Sequence, residues 1–353
     1  MSLSKLRKKI DAIDAKMVAL LNERARMSMA IGKEKLRDKK GIYAPNRERE
    51  VLRRIKALSK GPMTQEAFEA IYREIMSSSL SLEKPLSIAY LGPKASFTEM
   101  AARSKFGSQV QYVSCASIAE VFQKVERKDC DHGVVPIENS IEGAVTHTFD
   151  LLVDSDLKIC SQILLEISHN LLSKTTLDKI NVVYSNPQVF GQCRNWLQAN
   201  LPQAECCGTA STTQATLMAL KNKRSAAIAS ELASKVYKLR IVKRGIEDLA
   251  HNITRFLVIS IEDVPPTGND RTSLLFSIKD KVGALHDMLV PFARYKINLT
   301  KIESRPSKKR AWDYYFFVDI DGHRLDKNVQ KALSQLENKC KYLKILGSYP
   351  DLE

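Results

Sequence analysis

The stretch SLSKLRKKIDAIDAKMVALLNERARMSMAIGKEKLRD, residues 2–38, decides how this chain is read. Leu6, Ile10, Ile13, Met17, Leu20, Leu21, Met27 and Ile31 recur at steps of three and four, the period of an amphipathic helix. No glycine or proline interrupts them before Gly32. Arg7, Arg24, Arg26, Lys33 and Lys35 lie on or beside this apolar stripe, with Arg47 just beyond it. Cations bordering an apolar seam point to a pocket for an anion between packed helices.

Helix geometry limits how such a pocket is built. At about 1.5 Å per residue, Arg7 and Arg24 stand roughly 25 Å apart along the axis and cannot both grip one small molecule. Arg24 and Lys35 are about 16 Å apart and nearly aligned in azimuth, so two long side chains can lean together. An Arg7 in the same site must come from a second copy running antiparallel. A dimer also covers the stripe of so long a helix. The alternative is a coiled-coil arm with solvated basic faces.

The chain of 353 residues allows two or three domains, and 44% hydrophobic content is ordinary for globular protein. No apolar run is long enough to span a bilayer, and the N-terminus has no signal-peptide core, so a cytoplasmic protein without membrane contact is expected. Cys115, Cys130, Cys160, Cys193, Cys206, Cys207 and Cys340 show no metal spacing, which favours reduced thiols. His147, His169, His251 and His286 likewise suggest structural histidines and no metal site. The formal charge is +15, and residues 1–84 hold 20 Lys and Arg against 11 Asp and Glu. Nucleic acid would explain that charge, but no helix-turn-helix, zinc finger or stacking platform accompanies it. A small polyanionic metabolite fits equally well.

Three blocks follow. Residues 1–84 read as all-helical: a helix to about Arg37, a turn near Gly41 to Pro45, a helix from Arg47 to Leu58, a Gly61-Pro62 break and a helix from Thr64 to Leu82. In the last helix Ser77-Ser78-Ser79 would allow close packing or meet a ligand. From residue 85 to 264 short apolar runs alternate with helical patterns, an α/β texture. Strands are expected at Ser87–Leu91, Gly133–Val135, Val182–Tyr184, Ala226–Ala229 and Phe256–Ile261, with a helix start at Phe97 behind a Ser96–Glu99 capping box. Polar residues cluster after the strands, where such sheets bind ligands: Ser96 and Thr98, Glu138 to Ser140, Asn186 with Gln188, Ser211 to Gln214, and Asn252 to Arg255. After a linker at Val264–Asp270, residues 271–353 give Thr272–Ile278 as strand, Gly283–Tyr295 as helix, Ile297–Ser304 and Asp313–Ile320 as strands, Lys327–Leu336 as helix and Leu343–Gly347 as strand. That β-α-β-β-α-β order is ferredoxin-like.

Several motifs carry a resemblance. Leu6 to Ile10, Leu20 to Arg24, Gly32 to Lys35 and Arg47 to Glu50 resemble the all-helical chorismate mutase family. Tyr90-Leu91-Gly92-Pro93, Pro136 to Ser140 and Asn252 to Phe256 are similar to prephenate dehydratases. Gly283-Ala284-Leu285 and Glu303-Ser304-Arg305-Pro306 resemble an ACT amino-acid sensor. In this order they cover nearly the whole chain and resemble the bifunctional family of phenylalanine biosynthesis. The resemblance implies an interlocked helical dimer, a two-lobed dehydratase domain like a periplasmic binding protein, and an ACT domain, assembled as a homodimer or homotetramer without a cofactor. Chorismate and prephenate are the implied substrates and L-phenylalanine the implied effector.

The resemblance also assigns roles. Arg7 and Arg24 would bind carboxylates with Arg47 nearby, Lys35 would donate to the ether oxygen of chorismate, and Glu48 would accept from the ring hydroxyl. Ser79 and Glu83 would line the pocket. Glu83 stands where many relatives have Gln, and it would repel a developing oxyanion unless protonated. In the second block Thr254 is the expected donor to the leaving hydroxyl, a role it would share with the carboxyl of Glu138. Arg255 would anchor a carboxylate or brace its loop, while Asn139, Ser140, Ser211, Thr212, Ser96, Thr98 and Gln188 would supply further polar contacts. Asn186, Gln214 and Lys94-Ala95 depart from the relatives' usual His, Glu and Gly-containing turn. Gly283, Ala284, Leu285, Glu303, Ser304 and Arg305 would hold the effector at a subunit interface. The competing reading is a catalytically weak ligand-sensing regulator on the same folds.

Overall fold

Thirty-five residues, Leu3–Arg37, form the single helix α1 that the spacing predicts. A computed structural model describes residues 2–38, 41, 43–278, 282–307 and 314–351. Helix α2 spans Pro45–Leu58 and opens on proline, and α3 spans Gln65–Glu83 behind Thr64, whose hydroxyl accepts from the Ala67 amide at 3.2 Å. The buried residues of α1 are small, Ser28 and Gly32. A Cβ on Gly32 would lie 2.9 Å from the Glu83 Cα, so glycine is what lets the end of α3 close on α1. By contrast Leu6, Ile10, Ile13, Met17 and Leu20 of the stripe are 44–64% exposed. In α3 Ser77 and Ser79 take the two parts open to them. Ser77 packs against Gly107 and accepts from the Gln109 amide at 3.0 Å, and Ser79 faces α1.

Residues 1–87 with 106–111 form one compact unit, and residues 88–105 with 112–353 form a second. The second unit begins with an α/β lobe: β1 Ser87–Leu91, α4 Phe97–Phe106, β2 Gln111–Cys115, α5 Ile118–Glu126, β3 His132–Asn139, β4 Gly143–Ala144, α6 Thr146–Asp154 and β5 Lys158–Glu166. The chain crosses to a second lobe with β6 Asn170–Ser173, β7 Val182–Ser185, α7 Pro187–Gln192, α8 Arg194–Asn200, β8 Glu205–Gly208, α9 Thr212–Lys221, β9 Ser225–Ala229, α10 Glu231–Tyr237 and β10 Arg240–Lys243. It returns as β11, Ile253–Ser260, which lies between β3 and β5. The sheets run β2-β1-β3-β11-β5, with β4 on β3, and β10-β6-β9-β7-β8. Two crossings between two sheets make the two-lobed fold, and β11 brings residues 252–255 back beside the end of β3.

The third domain holds β12 Asp270–Ser277, α11 Ala284–Arg294, β13 Leu299–Pro306, β14 Tyr314–Asp321, α12 Lys327–Glu337 and β15 Tyr342–Pro350, with sheet order β13-β14-β12-β15. This is the ferredoxin-like order; the expected strand start at Asp313 lies outside the described residues. Apart from the edge strand β13, whose alternate residues are exposed, its sheet is covered on both faces. Leu274, Phe276, Val318 and Ile320 pack on α11 and α12, while Leu275, Phe317, Leu346 and Tyr349 join the core of the first α/β lobe. Alternation along each strand sends neighbours to opposite faces. At Gly347 a Cβ would sit 2.2 Å from the Ile159 carbonyl oxygen, so β15 meets β5 backbone to backbone. Lys344 reaches across to donate to the carbonyls of Leu152, Val153 and Ser155 at the end of α6, at 3.1, 2.9 and 2.6 Å.

Candidate active sites

In the helical unit α1 and α3 run in the same direction, and two residues of α1 meet two of α3. Arg24 donates to the Ser79 hydroxyl, which itself donates to the Ile75 carbonyl at 2.8 Å. Lys35 Nζ lies 2.8 Å from Glu83 Oε2. Arg24 and Lys35 start about 16 Å apart along α1, yet their partners are one helical turn apart on α3, about 6 Å along the axis. The two cations therefore converge, as the azimuth predicts. Glu48 at the start of α2 accepts from the Tyr43 hydroxyl at 2.9 Å. Arg47 instead pairs with Glu50 at 2.6 Å in solvent, where its hydrogen bond and charge hold the Glu50 carboxyl below the ordinary value. Arg7 is exposed. One chain thus brings together Arg24, Lys35, Ser79 and Glu83, and leaves Arg7 and Arg47 outside that cluster.

In the two-lobed domain the register sets Thr254 opposite Asn139 and Arg255 opposite Glu138. Asn139 Nδ2 donates to the Thr254 hydroxyl at 2.8 Å and to Asn252 Oδ1 at 2.7 Å. Its Oδ1 accepts from the Ile141 and Glu142 amides at 2.9 and 3.0 Å, which fixes the orientation of the amide. A donor on the Thr254 oxygen withdraws electron density and leaves the hydroxyl hydrogen to be given elsewhere, the polarisation that a weak acid needs. Ser140 binds the Ile253 amide and the His251 carbonyl, stitching the same corner.

The network continues into the second lobe. Asn252 Nδ2 donates to Gln192 Oε1 at 3.1 Å, and Gln192 Nε2 donates to Glu142 Oε1 at 3.0 Å. His169 Nε2 lies 2.7 Å from the same Gln192 oxygen, which makes it the donor. Burial pushes the His169 pKa down, against the hydrogen bond to Gln192, so the ring is neutral near pH 7. Sequence reasoning missed Gln192 and gave His169 only a structural part. Gln188 is exposed near the start of α7, its amide capped by Asn186, and Gln192 four residues later, one helical turn on, is the residue that reaches the network.

The remaining polar candidates act locally. Ser96 accepts from the Glu99 amide, and Ser211 accepts from the Gln214 amide at the start of α9. Thr98 is buried and Thr212 half-buried at the same helix starts. Asn186 and Gln214, two of the departures, both bind the backbone of Ala210. Ala95, the third, adopts φ +66°, a conformation that glycine takes without cost.

Glu138 and Arg255 sit on the other side of the strand pair. Arg255 is 7% exposed and lies 3.0 Å from Glu138 and 2.7 Å from Asp319 of β14, and it donates to the Tyr349 hydroxyl at 2.9 Å. Glu138 also pairs with Lys301 of β13. Burial opposes ionisation of Glu138, but Lys301 and then Arg255 outweigh it and hold the carboxyl below its ordinary value. An ionised, doubly paired carboxylate turned toward the third domain is not placed to share a proton with Thr254, the part expected from sequence. Arg255, its guanidinium enclosed, braces the strand pair and leaves no open face for a substrate carboxylate. In the third domain Gly283 caps α11 at φ +75°, ahead of Ala284 and Leu285. Lys301, Glu303 and Arg305 share one face of β13, with Ser304 on the other.

Fold and sites together define a multidomain enzyme: a helical pocket of converging cations, a two-lobed α/β domain with a polarised hydroxyl, and a ferredoxin-like module packed on it. Residues 6–84 match the family Chorismate mutase type II, residues 88–264 Prephenate dehydratase, and residues 272–338 the ACT domain. The chain belongs to the family of bifunctional chorismate mutase/prephenate dehydratases. It is 48% identical to the member from Aquifex aeolicus over 353 residues, covering 99% of this chain and 98% of the relative. It is 42% identical to the member from Pseudomonas aeruginosa, covering 99% and 97%. Among solved structures, prephenate dehydratase from Arthrobacter aurescens in complex with L-Phe superposes with a TM-score of 0.70 at 30% identity, covering 75% of this chain and 90% of that one. Among the described residues no helix is long and apolar enough to cross a membrane.

Proposed function

We propose that this chain converts chorismate to prephenate in its helical unit and prephenate to phenylpyruvate in its two-lobed domain, under feedback by L-phenylalanine at the ACT domain. The observation that carries this reading is family membership over the whole length together with intact Lys35–Glu83 and Asn139–Thr254 pairs in one molecule. The first reaction is a pericyclic rearrangement in which an ether C–O bond breaks as a C–C bond forms. It needs a folded dianion and charge stabilisation at the ether oxygen. Arg24 binds a carboxylate, Lys35 donates to the ether oxygen, and Arg7 of a second copy binds the other carboxylate, with Glu48 and Arg47 at the rim. Half-exposed apolar residues along α1 support the dimer, each worth about 1.5–3 kcal/mol when fully buried.

In the second reaction the ring hydroxyl leaves as water on taking a proton, the ring carboxylate leaves as carbon dioxide, and the electrons of that C–C bond make the ring aromatic. Thr254 donates at the hydroxyl with Asn139 behind it, and Gln192 and Asn252 orient the substrate. The seven free cysteines fit a reducing cytoplasm. A coupled assay tests the reading, with chorismate consumption and phenylpyruvate appearance followed together. Thr254→Ala is expected to cut phenylpyruvate formation by at least about a hundredfold while mutase activity stays within twofold. Equal loss of both activities contradicts the division of labour.

A further inference from the structure

Successive residues of a strand point to opposite faces, and the register of β3 with β11 turns this into a two-sided device. On one face Asn139 donates to Thr254. On the other, one residue along each strand, Arg255 binds Glu138. The second pair does not stand alone. Asp319 accepts from Arg255 at 2.7 Å and from the Ser273 hydroxyl at 2.5 Å, Tyr349 accepts from Arg255 at 2.9 Å and lies 2.7 Å from Ser273, and Lys301 donates to Glu138. Four of these six side chains belong to the ferredoxin-like domain, and Asp319, Ser273 and Arg255 are at most 7% exposed. Removing a charge here leaves Glu138 or Arg255 short of one of its two charged partners, and the strands that carry them must shift or admit water. Glu138 and Arg255 adjoin Asn139 and Thr254 in sequence, so such a shift moves the donor pair directly.

We propose that Lys301 and Asp319 are positioning residues for the dehydratase, supplied by the regulatory domain and acting through Glu138 and Arg255 on the Asn139–Thr254 pair. Lys301 lies on the same face of β13 as Glu303 and Arg305. Effector binding at those residues therefore reaches the dehydratase through the grip of Lys301 on Glu138, a consequence that rests on the feedback reading above.

The test uses the full chain and the variants Lys301→Met and Lys301→Arg. Dehydratase kcat and KM are measured separately, mutase activity serves as the folding control, and L-phenylalanine is applied in calorimetry and in inhibition assays. Lys301→Met is expected to lower dehydratase kcat about tenfold, the scale of a modest intersite coupling, with KM for prephenate and mutase activity within twofold. Lys301→Arg is expected to restore most of kcat. L-phenylalanine is expected to bind Lys301→Met but to inhibit it less than the wild type. Unchanged kcat in Lys301→Met, or equal loss in Lys301→Arg, overturns the positioning role. Undiminished inhibition of Lys301→Met overturns the route of the signal. A wild type that binds no L-phenylalanine defeats only the feedback reading, and kcat still decides the positioning role.

Discussion

Glu83 ends α3 with its carboxylate on Lys35, the cation that has to serve the ether oxygen of chorismate. The Glu83 carboxylate competes with the substrate for Lys35 and would repel the developing oxyanion, whereas an amide in its place leaves the lysine free and adds a donor. Glu83→Gln is therefore expected to raise mutase activity severalfold at neutral pH, measured beside the dehydratase activity of the same preparation. Mutase activity in Glu83→Gln at or below the wild-type level contradicts this. Glu138 gives a pH dependence in stability. Its folded pKa is held below the ordinary 4.5, so its pairs contribute fully above that value and are lost as pH falls through the lowered one. Thermal melting of the full chain followed from pH 5 downward is expected to lose less in Glu138→Gln than in the wild type. At this scale Lys35, Asn139 and Thr254 were legible because short motifs name them. Gln192 was not, since nothing beside it in Phe190-Gly191-Gln192-Cys193 marks a polar site. His169, read as structural, is buried and bonded to Gln192, a partner 23 residues away that no local pattern names.

At the scale of elements, the end of α3 reaches Lys35 because α1 offers no side chain at residue 32. Gly32→Ala places a Cβ 2.9 Å from the Glu83 Cα, so the helices must part by several tenths of an ångström or more. The strain is of the order of 1–3 kcal/mol. It should appear as reduced mutase activity with the dehydratase unaffected, measured in the same preparation. Loss of neither activity would mean that the close approach does not shape the site. Long periodic helices and strongly apolar strands such as Ser87–Leu91 could be read from sequence to within a residue or two. Strands such as β2 and β8 could not, because Gln111–Cys115 and Glu205–Gly208 are mostly exposed or half-exposed edge segments held by their neighbours. β5 was passed over because Lys158–Glu166 mixes polar residues into a buried strand, where Ser161 and Gln162 are covered by pairing and by the third domain.

At the scale of the molecule, the three-block order was readable from composition shifts and turns, but the docking of the third domain on the first lobe was not. Asp319, Lys301 and Tyr349 find partners 64, 163 and 94 residues away, and no local pattern announces such pairs. The helical unit poses the opposite case, a requirement visible in sequence that one chain does not meet. Its cations converge from Arg24 and Lys35, while Arg7 remains exposed on the same helix beside an uncovered apolar stripe. The composite site proposed above, built by two copies, would resolve both facts. The direct measurement mixes Arg7→Ala with Lys35→Ala, each expected to be inactive alone, and allows the subunits to exchange. Random pairing makes half the dimers mixed, and each mixed dimer holds one intact site and one doubly broken site, so mutase activity is expected to return to about a quarter of the wild-type level. A mixture that stays inactive, or an Arg7→Ala variant that retains full mutase activity by itself, would contradict a site shared between copies.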